Sequence, residues 1–312
     1  MDGYRGKHTA SQPWAVASTA SVRTRGRHQR VNRRRRRWVY ALLVLFLLCL
    51  LYPFLEAHIL RTDRVSLKSD SLPADIGHLH IVYLSDIHYG FWYSDADVAN
   101  LISRVNQLKP DIVLFGGDYG SDNAAAVRFF QRMPAVHARY AVLGVIGESD
   151  RGDTPFDLTR LTDTMREAGV TPLINDVSRV RVGTSSVYVA GLDEPVAGTP
   201  DLHSVASRVS ASDYVIFLCH NPTVIPDAQL LTDRNGHLGW FDLGLFGHTH
   251  GGQLGPFSSL IGLTDDIPVR YREGWLTENR VDLLVSRGVG TSVIPARFAC
   301  YPQIHDIDVS LP

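Results

Sequence analysis

Hydrophobic and polar positions fall into two regimes along this chain. From Trp38 to Leu55, 18 consecutive residues carry no formal charge and are mostly Leu, Val and Phe. At ~1.5 Å rise per residue the run covers about 27 Å, close to the ~30 Å hydrocarbon core of a bilayer, which predicts a membrane-spanning helix over residues 38–57. A soluble core helix would show a polar face over five turns. A cleavable signal would need a small-x-small site, and Tyr52, Pro53, Phe54 and Glu56 stand where one is required.

Beyond Gly77 short apolar runs alternate with segments of helical spacing. Leu79–Leu84, Ile112–Phe115, Tyr140–Ile146, Ser186–Ala190, Tyr214–Leu218 and Leu243–Phe246 have strand character. After Ser94 or Asp95 as a cap, Val98, Leu101, Ile102, Val105 and Leu108 recur as on one helix face, and Asn123–Met133, Phe156–Ala168 and Leu202–Val209 are further helices. The alternation predicts a layered α/β domain with partly parallel sheets. The expected organisation is a basic disordered tail (1–37), the membrane anchor (38–57), a polar linker (58–77) and one domain (78–312).

Charge sharpens this division. Residues 1–37 hold 11 Lys and Arg against the single acid Asp2, whereas the remainder carries 20 basic and 31 acidic residues, a net of −11. Arginines packed directly before an apolar run stay in the cytoplasm, so the chain is expected to be a single-pass cell-membrane protein with a cytoplasmic N-terminus and an extracytoplasmic domain. Read instead as a twin-arginine export signal, the same residues still export the domain. A domain at −11 repels polyanions, so no nucleic-acid partner is expected. Three cysteines, one inside the apolar run, cannot form a disulfide framework.

Several strand-like runs end in residues that bind metals. Asp86 and His88 follow the first, in Ser-Asp-Ile-His-Tyr-Gly; residues two apart in extended chain point to one side and could meet one cation. Asp118 follows Phe-Gly-Gly, where the glycines allow close backbone approach. His220 ends the Tyr214 run, and His248 and His250 lie in Gly-His-Thr-His-Gly-Gly-Gln. Each signal alone is weak. Their ordered combination of carboxylate oxygen and imidazole nitrogen is far more specific, and suits Mn²⁺, Fe or Zn²⁺.

These motifs, with Ala190-Gly-Leu-Asp-Glu and the closing Ser286-Arg-Gly-Val-Gly-Thr followed by Pro295 and Arg297, resemble the calcineurin-like metallophosphoesterases, in particular their membrane-anchored bacterial branch. The resemblance implies a four-layer α/β/β/α sandwich with two divalent metal ions at the carboxyl ends of the strands. Asp86, His88 and His250 would hold one ion, His220 and His248 the other, and Asp118 would bridge. The two ions would clamp a phosphate and acidify a bridging water for in-line attack. The catalytic residues implied are Asp118, Ser149 and His248.

The family motif Gly-Asn-His-Asp or Gly-Asn-His-Glu is altered. The corresponding stretch runs from Val142 to Asp150 as Val-Leu-Gly-Val-Ile-Gly-Glu-Ser-Asp. Aligned on Gly144 it offers no ligand. Aligned on Gly147, Glu148 replaces Asn as a metal ligand and Ser149 replaces His. The function expected is hydrolysis of a phosphodiester or phosphoanhydride by a phosphoesterase anchored to the lipid bilayer, with a lipid-linked substrate favoured by the tether. The competing reading is a metal- or ligand-binding pseudoenzyme of the same fold.

Overall fold

The computed structural model describes residues 25–90, 92–262, 264 and 266–312. The chain divides into two compact units, one ending at Leu51 and one running from Tyr52 to Pro312. Helix α1 (Arg25–Glu56) contains the apolar run and ends in the second unit, and residues 33–51 are exposed along it. Arg33–Glu56 is long and apolar enough to cross a membrane, a test that a signal sequence also passes. The helix begins at Arg25, so residues 25–37, assigned above to a disordered tail, are helical. Arg and Gln are good helix formers and no Pro or Gly follows Gly26 to stop the helix before the apolar run. The rest of the tail, residues 1–24, lies outside the described residues.

The second unit contains two six-stranded sheets. In the first, β1 (Arg61–Lys68), β12 (Gln303–Ser310), β2 (His78–Leu84), β3 (Ile112–Phe115), β4 (Ala141–Gly144) and β5 (Thr171–Pro172) lie in that order. In the other the order is β10 (Gly274–Glu278), β11 (Val281–Val285), β9 (Leu243–Phe246), β8 (Val215–Leu218), β7 (Ser185–Gly191) and β6 (Asp176–Val182). β2–β3–β4 and β7–β8–β9 are parallel. Their strands are buried on both faces, which explains why they appear as continuous apolar runs.

Ile81, Tyr83, Ile112 and Leu114 meet Val187, Val189, Ile216 and Leu245 between the sheets. Val82, Leu84, Val113 and Phe115 point the other way, onto α2 (Asp95–Leu108), α3 (Asn123–Arg132) and α4 (Pro155–Glu167). Val215, Phe217, Phe246 and Leu283 form a third apolar layer with α5 (Leu202–Ala206) and α6 (Ile225–Leu230). The order is α/β/β/α. Ser94 caps α2 through a reciprocal box with Asp97, and Thr154 caps α4 with Asp157.

The stretch expected to be a linker contains a strand. β1 runs parallel to β12 from Arg61–Gln303 to Lys68–Ser310, with Val65 and Leu67 packed on the inter-sheet core. Its sequence, Arg-Thr-Asp-Arg-Val-Ser-Leu-Lys, has the mixed polarity of a one-sided edge strand, and so does not stand out from a polar linker. Asp111 and Asp242, each just before an apolar strand, accept the backbone N–H groups of His80 and Val215 across the sheet.

Candidate metal centre

Each candidate ligand follows the carboxyl end of a central strand: Asp86 and His88 follow β2, Asp118 follows β3, His220 follows β8, and His248 and His250 follow β9. The two-apart spacing does not act through strand alternation. Asp86, His88, Asp118, His248 and His250 all have left-handed backbone, with φ of 54°, 48°, 54°, 69° and 49°. Non-glycine residues rarely occupy this region, and such conformations persist where the surroundings over-determine them.

Here the surroundings are other backbone. Asp86 N–H donates to Gly117 O and Gly290 N–H donates to Asp86 O, while Ile87 and His88 N–H both reach Asp118 O. Gly247 and Gly288 leave room that a Cβ would close: at Gly288, with φ +70°, it would lie 2.5 Å from the Asp86 Cβ. A Cβ on Gly147 would run into the Asp118 carboxylate.

Two groups of donors result, each with ligand atoms within 4.8 Å of one another: Asp86, His88 and His250, and Asp86, Asp118 and His220. Asp86 is common to both. Asp118 Oδ2 lies 3.5 Å from His88 Nε2 and 3.4 Å from His220 Nε2, so it also stands between the groups. Within the first group, His88 and His250 stack with ring centroids 4.9 Å apart. The ring of His248 lies 5.4 Å from that of His220, and the His248 backbone N–H donates to Asp86 Oδ1.

The donor set fits divalent cations. Among the described residues, neither Asp86 Oδ2 nor His220 Nε2, both fully buried, has a hydrogen-bond partner, although Nε2 faces the Asp118 carboxylate at 3.4 Å. His220 Nδ1 donates to Gly116 O at 2.8 Å, which turns Nε2 toward the carboxylates. Unpaired buried polar atoms of this kind cost free energy unless a ligand satisfies them.

Electrostatics point the same way. Burial alone would depress His220, but the charges of Asp118 and Asp86 and the Gly116 carbonyl outweigh it and lift the imidazole to about 10. Burial alone would raise Asp118; His220, then His88 and Ser149, instead hold its carboxyl well below the ordinary range. The carboxylates thus keep a proton on His220 that a divalent cation would displace. His250 and His248 are depressed by burial first, then by His88 and Arg297 for the former and His220 for the latter, which favours neutral imidazoles.

Fully buried Arg297 was not assigned to the centre by its motif alone. Its guanidinium donates to the carbonyls of Gly290, Arg287 and Cys300, and lies 3.2 Å from His250 Nδ1. Arginine only donates, so this contact places the neutral His250 proton on Nε2, 2.9 Å from His88 Nε2. For His250 Nε2 to bind a cation that proton must leave and Arg297 must fall back on its carbonyl partners. Gln253, in the quoted histidine motif, is also fully buried.

A cavity of about 530 Å³ opens over the centre, with His88, Asp118, Glu148, Ser149, His248 and His250 on its wall. Thr291, the end of the quoted Ser286-to-Thr291 motif, completes it with Trp92, Ser121, Ser292 and Val293, which carried no motif signal. A larger cavity, about 670 Å³, lies beside Ala57, Arg64 and Arg104 and contains none of the candidate ligands.

In the altered motif, β4 ends at Gly144, and Val145 and Ile146 are buried in separate cores. Glu148 is exposed and belongs to neither donor group. Ser149 Oγ lies 2.9 Å from Asp118 Oδ1 and 2.8 Å from Gly120 O, and its one proton serves one of them at a time. Asp150 is structural: it accepts the N–H groups of Tyr119, Gly120 and Gly147, pinning this loop to the one that bears Asp118.

The outlying histidines have other partners. His78 and His80 pair with Asp308 and Asp306, and His305 is buried beside Ser286. All three cysteines are free.

Residues 79–252 match the family model described as calcineurin-like phosphoesterase. The uncharacterized metallophosphoesterase YkuE of Bacillus subtilis (strain 168) is 30% identical over 257 residues, covering 80% of this chain and 86% of its own. An uncharacterized metallophosphoesterase of Aquifex aeolicus (strain VF5) is 26% identical across 81% of this chain and 93% of its own. Phosphodiesterase YaeI of Escherichia coli (strain K12) is 27% identical across 72% and 79%. With two stacked sheets carrying carboxylates and imidazoles at their strand ends, the chain belongs to the calcineurin-like phosphoesterase family and is a metal-dependent phosphoester hydrolase.

Proposed function

We propose that this protein is a membrane-anchored phosphodiesterase or phosphoanhydride hydrolase with two metal positions and a lipid-associated substrate. The observation that carries the metal reading is the convergence of Asp86, His88, Asp118, His220 and His250, with two buried donor atoms that have no hydrogen-bond partner among the described residues. In the proposed set, Asp86, His88 and His250 serve one ion, His220 and His248 the other, and Asp118 both. Glu148 reaches in from the cleft wall.

A pair of divalent cations would neutralise a bound phosphate and acidify water for attack on phosphorus. The chain's own groups do the rest. Gly116 O fixes the His220 tautomer, and Ser149 engages Asp118 Oδ1, leaving Oδ2 for the metal side. Neutral His248 and the Ser149 hydroxyl face the cavity, where they can hydrogen-bond the substrate phosphate. A serine hydroxyl cannot deliver a proton as an imidazolium does, so substrates with good leaving groups should turn over best.

The apolar helix and the arginines before it support a single-pass anchor with a cytoplasmic N-terminus and an extracytoplasmic domain. A tether concentrates whatever shares the membrane, which favours a phospholipid or lipid-linked phosphate.

The test uses the full chain in detergent, loaded with Mn²⁺ or Zn²⁺, with metal content and turnover of an activated phosphodiester measured together. Two bound ions, and turnover lost in Asp118→Asn, are expected. Metal binding without turnover on activated or lipid phosphates would return the protein to a binding role.

A further inference from the structure

Single exposed apolar side chains are normal on a protein surface; a connected row of them starting from a membrane span is not. Tyr52 lies within the apolar run of α1, and its ring meets Phe298 edge-on at 6.3 Å. Phe298 in turn lies 5.9 Å from Phe257, which is 54% exposed in the 3-10 segment Gly255–Leu260. Leu260, in the same segment, is 77% exposed. No formally charged residue occurs between Gln253 and Thr264. Beside this row the Tyr52 and Tyr301 hydroxyls are 3.0 Å apart and Arg61 lies over the Tyr301 ring, the pairing of aromatic and cationic groups found at headgroup level.

The row is joined to the catalytic cleft through one residue. The Gln253 side-chain amide shares its two protons among the carbonyls of Ser292, Ile294 and Ala296 and accepts the Ser292 N–H, while the Gln253 backbone carbonyl accepts the Phe298 N–H. On the loop it holds, Val293 stands at the cleft rim, 67% exposed and with φ +61°, a conformation costly for a β-branched residue.

We propose that Gly255–Leu260, with Phe298, forms a second membrane contact that seats the domain on the lipid surface and turns the Val293 rim of the cleft toward it. The proposal rests on α1 being the anchor. If Tyr52 lies at the edge of the hydrocarbon, the row of ring contacts, 6.3 and 5.9 Å, keeps Phe257 within the interfacial layer, ~5–8 Å thick, provided the row runs along the bilayer surface. A domain at net −11 gains nothing from anionic headgroups, so the contact is apolar insertion and should resist salt.

The test reconstitutes the full chain in phosphatidylcholine bilayers that contain lipids brominated near the headgroup. A fluorophore is placed on Cys49 of the native chain or, in a Cys49→Ser background, on Leu260→Cys or Leu230→Cys. Leu230 is 75% exposed on α6 and is the control. Quenching at 49 and 260 but not at 230, unchanged in high salt, is expected. Quenching at 49 alone overturns the membrane contact and leaves the anchor standing; no quenching at 49 removes the anchor reading itself. A label at 260 shielded from aqueous iodide yet not quenched by bromolipid points to a second protein copy and also overturns the proposal. In a Phe257→Ser/Leu260→Ser variant, turnover of a soluble activated diester should be unchanged, while turnover of a bilayer-borne phosphodiester falls roughly tenfold; equal turnover of both substrates would also count against it.

Discussion

Asp86, His88 and His250 meet where backbone leaves little choice, with left-handed residues pinned to neighbouring loops and glycines closing around Asp86. Across the same centre His220 is held by the Gly116 carbonyl and His248 by its own left-handed backbone and its N–H to Asp86, whereas Glu148 is an exposed side chain on the cleft wall. The first side is defined by chain geometry and tolerates little change. At Glu148 the second depends on side-chain reach, and it is the side on which this sequence departs from the family motif.

Changes at Asp86 should be the most damaging, because it belongs to both donor groups. Asp86→Asn should cost turnover about 10³-fold or more, above the ~10²–10³ typical of losing one transition-state donor, with metal content falling at both positions by mass spectrometry. Gly288→Ala adds a Cβ at 2.5 Å from that of Asp86 and strains a φ of +70°. Metal affinity should fall ~10–100-fold, as when an outer partner of a ligand is lost, with a lower melting temperature.

Glu148→Gln should weaken metal binding less than about tenfold, below that outer-partner range. A larger loss by calorimetric titration would show that the cleft wall holds an ion as tightly as the backbone-defined side, and the contrast would fail. Ser149→Ala should slow turnover by less than about tenfold, against the ~10²–10⁴ expected for a positioned general acid.

Acid stability tests the buried layer behind the first side. Burial, then the charge of Arg287, depresses His305 to about 3. Between pH 6.5 and 3 the unfolded chain therefore binds a proton that the folded chain refuses. Stability is unaffected by this group above pH 6.5 and falls by up to ~1.4 kcal/mol per pH unit below it. His305→Gln should flatten that part of the denaturation profile while leaving turnover at neutral pH nearly unchanged.

The parallel strands and the ligands at their ends were legible because strands buried on both faces produce uninterrupted apolar runs that stop where the chemistry begins. β1 was not, since one exposed face makes Arg61–Lys68 look like linker. The pairing of Asp86 with His88 was read as strand alternation, whereas it comes from two left-handed residues; sequence spacing is the same for both. Arg297 and Gln253 stand in quoted motifs, but they act by joining segments that only the fold brings together, so the motifs did not show what they do. Glu148 and Ser149 were legible as departures, but not that Glu148 would be exposed outside both donor groups while Ser149 bonds Asp118.

The foot of α1 has one further consequence. Glu56 is wholly buried and accepts the Cys300 N–H, while Pro53 O accepts the N–H of Arg297, the residue against His250. A protease cutting just beyond Glu56 would therefore not simply shed an intact soluble enzyme. It would also remove two acceptors that brace the loop behind a candidate ligand, so loss of the apolar helix and loosening of the centre would be one event.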